Sequence, residues 1–316
     1  MSLRRFIVRR LLSIIPILFG VSLVTFALVH ATPGNAVELL ISFNPNITAA
    51  DVARIEARYG LDEPLPVRYV DWLVSAVQGD FGIVIGSNRP VTDVIVSRLP
   101  NTLALGLFGW VIALLVAIPT GIYAAVKKDQ LGDDVSRFIA LSGISLPNFW
   151  LGLMLMLIFA VWLDIFPVLA PQESVLHPES LWFLILPGIT IGTASASTLM
   201  RIMRSSMAEE MNKEYVTAAR AKGLPERTVV LKHVLRNSLI SVTTVAAFLT
   251  ANILAGSVVV ETVFGWPGLG QALISAVTSR EINLILAITL FTGVALVIAN
   301  LLADIAYAVL DPRIRY

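Results

Sequence analysis

Six stretches of this chain contain no aspartate, glutamate, lysine or arginine, and each is at least 21 residues long. About 20 helical residues cross the roughly 30 Å of hydrocarbon in a bilayer. Lipid offers the backbone no hydrogen-bond partner, so such stretches are expected to be helices. They are Leu11–Val37, Leu99–Val126, Phe138–Leu163, Ser180–Met200, Asn237–Val260 and Ile282–Ala303. The chain is therefore predicted to be an all-α membrane protein with six transmembrane helices.

Composition agrees with this fold class and excludes several others. Charged residues make up 14% of the chain, against about 25% in a typical soluble protein, and the mean hydropathy is +0.81. A net charge of +1 gives no general attraction to nucleic acid. The absence of cysteine excludes thiol catalysis, disulfides and iron–sulfur clusters, and the three histidines lie far apart in sequence. We therefore expect no metal site and no cofactor in this chain.

The distribution of lysine and arginine predicts the orientation in the membrane. Six spans place both termini on one side. If that side is the cytoplasm, 17 Lys and Arg residues lie inside and 6 lie outside. Cytoplasmic loops of membrane proteins carry an excess of these residues. Both termini are therefore predicted to be cytoplasmic.

This orientation divides the chain into three parts. Residues 1–31 comprise the cytoplasmic N-terminus and the first transmembrane helix. Residues 32–98 form an external helical segment, and residues 99–316 form a five-helix core. The core includes one long cytoplasmic segment, residues 201–236.

The external segment is predicted to contain two helices. Thr48 to Asp51 has the pattern of a capping box, for a helix that ends near Gly60. Pro66 is suited to start a second helix, Val67–Val77. Its expected apolar side consists of Val70, Trp72, Leu73 and Val77. A turn follows at residues 79–82. This small cap either contacts an external partner or packs on its own membrane domain.

The cytoplasmic segment 201–236 has the pattern of two helices joined by an elbow. Glu214 precedes Arg220, an order that suits the helix dipole. Gly223 is a natural helix C-cap, and Pro225 prevents the helix from continuing. Three alanines would let another surface approach the backbone closely: Ala218, Ala219 and Ala221. Docking of a partner and an ordinary basic cytoplasmic loop both fit this pattern.

The sequence of this elbow resembles the EAA loop of ABC importer permeases. The run from Glu214 to Leu224 reads EYVTAARAKGL, and His233 and Arg236-Asn237 follow it. The closest resemblance is to the B-type subunit of the dipeptide/oligopeptide permease family, and it extends over nearly the whole chain. Further matching stretches are RRLLSIIP at 9–16, GLDEPL at 60–65, GDFG at 79–82, SGISLP at 142–147, VVETVFGWPGLG at 259–270 and LDPRIRY at 310–316. One departure is Ser241, where the family usually has a proline that would kink the fifth span.

The resemblance implies a type I (MetI-like) importer permease in a prokaryotic plasma (inner) membrane. Such a permease pairs with a homologous C-type permease and two cytoplasmic ABC ATPases, and an extracytoplasmic binding protein delivers the substrate. The elbow would sit in a cleft of the ATPase. The residues that the resemblance assigns to ATPase coupling are Glu214, Tyr215, Ala218, Ala219, Arg220, Ala221 and Gly223.

The chain is expected not to be an enzyme itself. It has no Gly-Lys pair, so it contains no Walker A loop to hold phosphates. ATP and magnesium are therefore expected in the partner subunits. The motifs Gly-x-Ser-x-Gly and His-Glu-x-x-His are absent too, so the sequence does not contain the catalytic motifs of these hydrolases.

Polar residues within the predicted spans are candidates for the translocation path. Such groups usually face a bundle interior or a cavity. The candidates are Asn148, Asn252, Asn300 and Asp304. The alternative is that they only hold helices together by hydrogen bonds. A stretch of small residues from Gly192 to Ser197 suits close helix packing or a pore wall.

A second candidate region lies outside, just after the fifth span. The resemblance makes Glu261, Phe264, Trp266 and Pro267 candidates for contact with the binding protein or for the outer gate. The alternative is a rigid re-entrant turn that seals this gate.

Peptide import is the function that the resemblance favours. Relatives in the family take nickel chelates, glutathione or oligosaccharides, and the sequence does not separate these substrates. A secondary transporter would need coupling carboxylates near the bilayer midplane and usually internal repeats, and an intramembrane protease would need a catalytic pair. Neither set of features is visible in the sequence.

The predicted orientation can be tested with single cysteines, because the chain has none of its own. A membrane-impermeant thiol reagent should label Asn46→Cys in intact cells and leave Ser206→Cys unlabelled until the cells are opened. Labelling of Ser206→Cys alone would invert the orientation.

Overall fold

The computed structural model describes residues 3–31, 48, 54, 62–168 and 180–310. The helices in these ranges are α1 (Leu3–Ala31), α2 (Leu65–Val77), α3 (Val91–Val126), α4 (Leu131–Ser145), α5 (Asn148–Leu155), α6 (Ser180–Glu210), α7 (Glu214–Ala221), α8 (Leu235–Val263), α9 (Leu269–Thr278) and α10 (Ile282–Leu310). A π-helical stretch, Met156–Trp162, extends α5, and another, Val229–Val234, follows the short turn Glu226–Thr228 and leads into α8. Strands β1 (Ile83–Val84) and β2 (Arg89–Pro90) form an antiparallel hairpin that pairs Ile83 with Pro90.

Four helices in the described part of the chain are long and apolar enough to cross a membrane. These spans lie in α1, α3, α6 and α10, and the bent pair α4–α5 makes a fifth. Helix α8 covers the remaining charge-free stretch. The all-α membrane fold is thus confirmed, whereas the count of six spans and the side of the termini stay predictions.

The third charge-free stretch is not one straight helix, and that expectation was wrong. Helix α4 ends at Ser145, α5 begins at Asn148, and the two are bent by 107°. The cause is Pro147, which has no N–H and forces the preceding residue out of helical geometry. Leu146 accordingly has a ψ of 128°. A span identified from missing charges alone does not reveal such a break.

Helices α3 and α6 pack closely through small residues. A Cβ on Gly192 would lie 2.6 Å from the backbone oxygen of Gly109, and a Cβ on Gly109 would lie 2.1 Å from Ile191 Cγ2. Only glycine therefore fits at these two positions. The two helix backbones come close together here, as small residues allow in membrane proteins. Ser195 and Ala196, one turn further, are buried. These contacts support helix packing as the role of the small-residue stretch.

Helix α2 lies against the C-terminal half of α1. Tyr69 shares a hydrogen bond of 2.9 Å with the hydroxyl of Ser22, and its ring centroid lies 5.1 Å from that of Phe26. The predicted helix is therefore present. Its apolar face was partly wrong, because Val70 and Val77 are 54% and 82% exposed. Trp72 is buried as predicted, together with Tyr69 and Ala76, which the prediction did not include. The predicted helix between Thr48 and Gly60 falls outside the described residues, apart from two isolated positions.

The hairpin is held by a carboxylate from the far end of the chain. The backbone N–H groups of Ile85 and Gly86 donate to Glu281 at 2.8 and 2.7 Å. Glu281 is 5% exposed and lies directly before α10. The predicted turn before the hairpin is also present, with Gly79 and Gly82 at φ +87° and +77°.

Candidate functional site

The elbow segment (residues 213–226) has the backbone geometry that its sequence predicts. Gly223 has a φ of +77°, and its N–H donates to the carbonyl of Arg220 at 2.9 Å. The N–H of Leu224 donates to the carbonyl of Ala219 at 3.4 Å. These two bonds form a Schellman motif, which ends α7 and satisfies its last carbonyls. The reversal after α7 therefore depends on a residue that tolerates a positive φ.

An ion pair spans the reversal. Arg220 donates two hydrogen bonds to Glu226, at 3.1 and 2.7 Å. These bonds hold the pKa of the Glu226 carboxyl below its ordinary value. The pair is therefore ionised at neutral pH and is lost only as the pH falls through that lowered pKa. Both side chains are substantially exposed, so the pair contributes more to the shape of the elbow than to stability.

The two faces of α7 have different surroundings. Val216 is fully buried and Ala219 is 8% exposed, in one apolar cluster with Met203 and Met207 of α6 and with Val230. Tyr215 is half-buried and donates a hydrogen bond of 2.6 Å to Glu210. The exposed residues of the predicted coupling set are Glu214, Ala218, Arg220, Ala221 and Gly223. Ala219 therefore packs against its own chain, whereas Ala218, Ala221 and Gly223 are exposed to solvent or to a partner.

A second site, the outer turn (residues 261–270), centres on the buried carboxylate of Glu261. Its side chain is 0% exposed. It accepts hydrogen bonds from the hydroxyl of Thr102 at 2.8 Å and from the N–H groups of Gly270 and Gln271 at 2.6 and 3.1 Å. The N–H of Leu269 donates to the Thr102 oxygen at 2.8 Å. Together these acceptors satisfy the first three N–H groups of α9, where a helix favours negative charge.

The rest of the outer turn is fixed to α3 by a reciprocal pair. The amide of Asn101 donates to the carbonyl of Pro267 at 2.8 Å, and the indole N–H of Trp266 donates to the carbonyl of Asn101 at 3.0 Å. Trp266 and Phe264 are 1% and 3% exposed. These side chains lie in the core rather than on the surface where a binding protein would touch them. Of the two alternatives, this burial supports the rigid turn.

A buried ion pair between α4 and α6 escaped the sequence analysis. The Nε and Nη2 groups of Arg204 each donate a hydrogen bond of 2.5 Å to the carboxylate of Asp133. The side chain of Asp133 is 0% exposed and that of Arg204 is 18% exposed. The pair joins the start of α4 to the end of α6. No spacing in the sequence connects two residues that are 71 positions apart.

The structure describes the side chains of two of the four candidate translocation residues. Asn148 is the first residue of α5 and is half-buried, and Asn300 is half-buried in α10. The backbone positions of Asn252 and Asp304 lie in α8 and α10, but their side chains are outside the described part of the structure. Their roles stay predictions. Within the described residues, no group of three histidine or acidic side chains is placed to hold a metal ion.

Glu261→Gln should lower the stability of the outer turn. The N–H groups of Gly270 and Gln271 donate to one carboxylate oxygen and the hydroxyl of Thr102 donates to the other. Either orientation of a glutamine amide therefore places its NH₂ group against a present donor, at a cost of about 1–3 kcal/mol. The expected result is a lower thermal unfolding midpoint for the purified protein in detergent. Thr262→Ser is the matched control, since Thr262 is exposed and serine keeps its hydroxyl. Equal midpoints for the two variants would show that Glu261 does not anchor the turn.

Comparisons with known proteins identify the family to which the sequence and fold correspond. Residues 117–316 match the family described as "Binding-protein-dependent transport system inner membrane component", and residues 3–106 match its N-terminal counterpart. The chain is 38% identical over 317 residues to the oligopeptide transport system permease protein AppB of Bacillus subtilis (strain 168), covering 98% of this chain and 99% of that protein. It is 39% identical over 311 residues to the glutathione transport system permease protein GsiC of Escherichia coli (strain K12), again covering 98% and 99%.

Two solved structures share the fold. One is an amino acid ABC transporter, with a TM-score of 0.53 and 15% identity, covering 68% of this chain and 94% of that one. The other is the MetNI methionine ABC transporter in inward-facing conformations, also with a TM-score of 0.53 and 15% identity, covering 70% and 97%. The resemblance predicted from the sequence is thus confirmed: the chain belongs to the family of inner membrane components of binding-protein-dependent transport systems.

Proposed function

We propose that this chain is the permease subunit of an ATP-driven importer that carries di- or oligopeptides delivered by an extracytoplasmic binding protein. The observation that carries this proposal is the match to an oligopeptide permease along nearly the full length of both chains. Glutathione is the second candidate substrate, because a glutathione permease is similar to the same degree. Glutathione is itself a tripeptide, so both candidates are short peptides.

The energy for transport would come from separate subunits. A homologous C-type permease would complete the path, and two cytoplasmic ABC ATPases would bind ATP and magnesium. The exposed face of the elbow segment would meet one ATPase. Ala218 and Ala221 allow a close approach there, and Glu214 offers a charge.

The inner face of the elbow segment is suited to pass on a movement. Val216 and Ala219 pack on Met203 and Met207, which belong to the long helix α6. Closely packed side chains transmit displacement instead of absorbing it. A shift of α7 would therefore act on α6, and through its glycine contacts on α3.

Reconstitution into proteoliposomes tests the proposed function. Uptake of labelled peptide should require the second permease, both ATPases and ATP, with the binding protein for the full rate. A proton gradient should not replace ATP. Saturable uptake by this chain alone would overturn the proposal and favour a secondary transporter. Labelled glutathione, in parallel, separates the two candidate substrates.

Gly223→Val should uncouple ATP hydrolysis from uptake in the reconstituted transporter. A β-branched residue at φ +77° is strained by about 1–3 kcal/mol, so the elbow is expected to rearrange. Glu214→Arg should uncouple as well, by reversing a charge on the exposed face. The measurement is the ratio of peptide imported to ATP hydrolysed.

Gly223→Asn is the matched control, because asparagine tolerates a left-handed backbone. It should keep most of the coupling. If Gly223→Val and Glu214→Arg transport normally, the elbow segment is not the coupling element.

A further inference from the structure

A basic pocket lies between α4 and α6, and none of its lining residues belongs to the elbow segment or the outer turn. Its volume is about 300 Å³, and its lining consists of Arg137, Leu141, Arg201, Ile202, Arg204 and Ser205. Three guanidinium groups therefore surround a space large enough for a phosphate group. Neither the proposed coupling nor the outer turn uses this pocket.

The charges in the pocket are only partly compensated. Arg204 is neutralised by Asp133. Arg137 lies 3.7 Å from Asp134, which is too long for a hydrogen bond, and both side chains are more than half exposed. Arg201 has no ion-pair partner among the described residues. Two guanidinium groups are thus available to an anion.

The depth of the pocket follows from the sequence. Arg137 directly precedes the charge-free stretch that begins at Phe138, and Arg201 directly follows the stretch that ends at Met200. Both arginines therefore lie at the predicted cytoplasmic boundary of the hydrocarbon. This is the level of the phosphate groups of the inner leaflet.

The surface beside the pocket is apolar. Phe138 is 72% exposed and Leu141 is 54% exposed, and they continue from the arginines into the predicted span. Cationic groups next to an exposed apolar strip match a phospholipid, with a charged head and an acyl chain. A free phosphate would make no use of the apolar strip.

We infer that this pocket binds the phosphate headgroup of an anionic phospholipid from the inner leaflet, through Arg137 and Arg201. Guanidinium groups bind phosphate by charge-assisted, often paired, hydrogen bonds. The acyl chain lies along Phe138 and Leu141. Arg204 shapes the pocket but stays bound to Asp133.

The test is lipid binding to the purified full-length chain in neutral detergent, counted by native mass spectrometry. Phosphatidylglycerol should bind more tightly than phosphatidylcholine. Arg137→Gln and Arg201→Gln should each weaken phosphatidylglycerol binding about fivefold, the effect of one basic residue near an anionic surface. Arg227→Gln is the matched control, an exposed cytoplasmic arginine outside the pocket that should bind the lipid normally.

Two further arms distinguish other occupants. Inorganic phosphate should not displace the lipid, and displacement at low concentration would indicate a site for the free anion. If both pocket variants still bind lipid but no longer co-purify with other transporter subunits, the pocket is a protein interface instead. Either outcome, or equal binding of the two lipids, would overturn the inference.

Discussion

Near the hydrocarbon, backbone N–H groups that make no hydrogen bond within a helix must find acceptors in the protein itself. The rest of this structure depends on side chains that supply those acceptors. At the outer turn, Glu261 and Thr102 accept the first N–H groups of α9. At the hairpin, Glu281 accepts two further N–H groups. Both glutamates are nearly or fully buried. Removing either carboxylate would leave at least two N–H donors without acceptors. The first role of each glutamate is therefore structural.

These anchors fix the outer turn and the hairpin by hydrogen bonds, whereas the elbow segment has an exposed face. The outer turn is sealed by Trp266 and Phe264, which have almost no exposed surface. The elbow segment exposes Ala218 and Ala221 and is shaped by a glycine and an ion pair between exposed side chains. A partner at the elbow can therefore reach the backbone, while a partner at the outer turn would meet other residues of this chain.

The close contact of α3 with α6 connects these two ends. Gly109 and Gly192 meet at a crossing that admits no larger residue. Helix α6 then continues to Arg204, which is bound to Asp133 of α4. A displacement of α7 would therefore act on helices that are joined by packing and by a buried ion pair.

The sequence by itself determined the membrane class, the helical character of the spans and the family. It also determined the shape of the elbow, because Gly223 and Pro225 act on their immediate neighbours. It could have revealed the break at Pro147, since the effect of proline on Leu146 is local as well. Only the tertiary structure decided the rest. That Glu261 caps α9, that Asp133 pairs with Arg204 and that Ala219 faces inward all depend on contacts between distant residues. No local pattern records such contacts, because they form only when helices from different parts of the chain pack together.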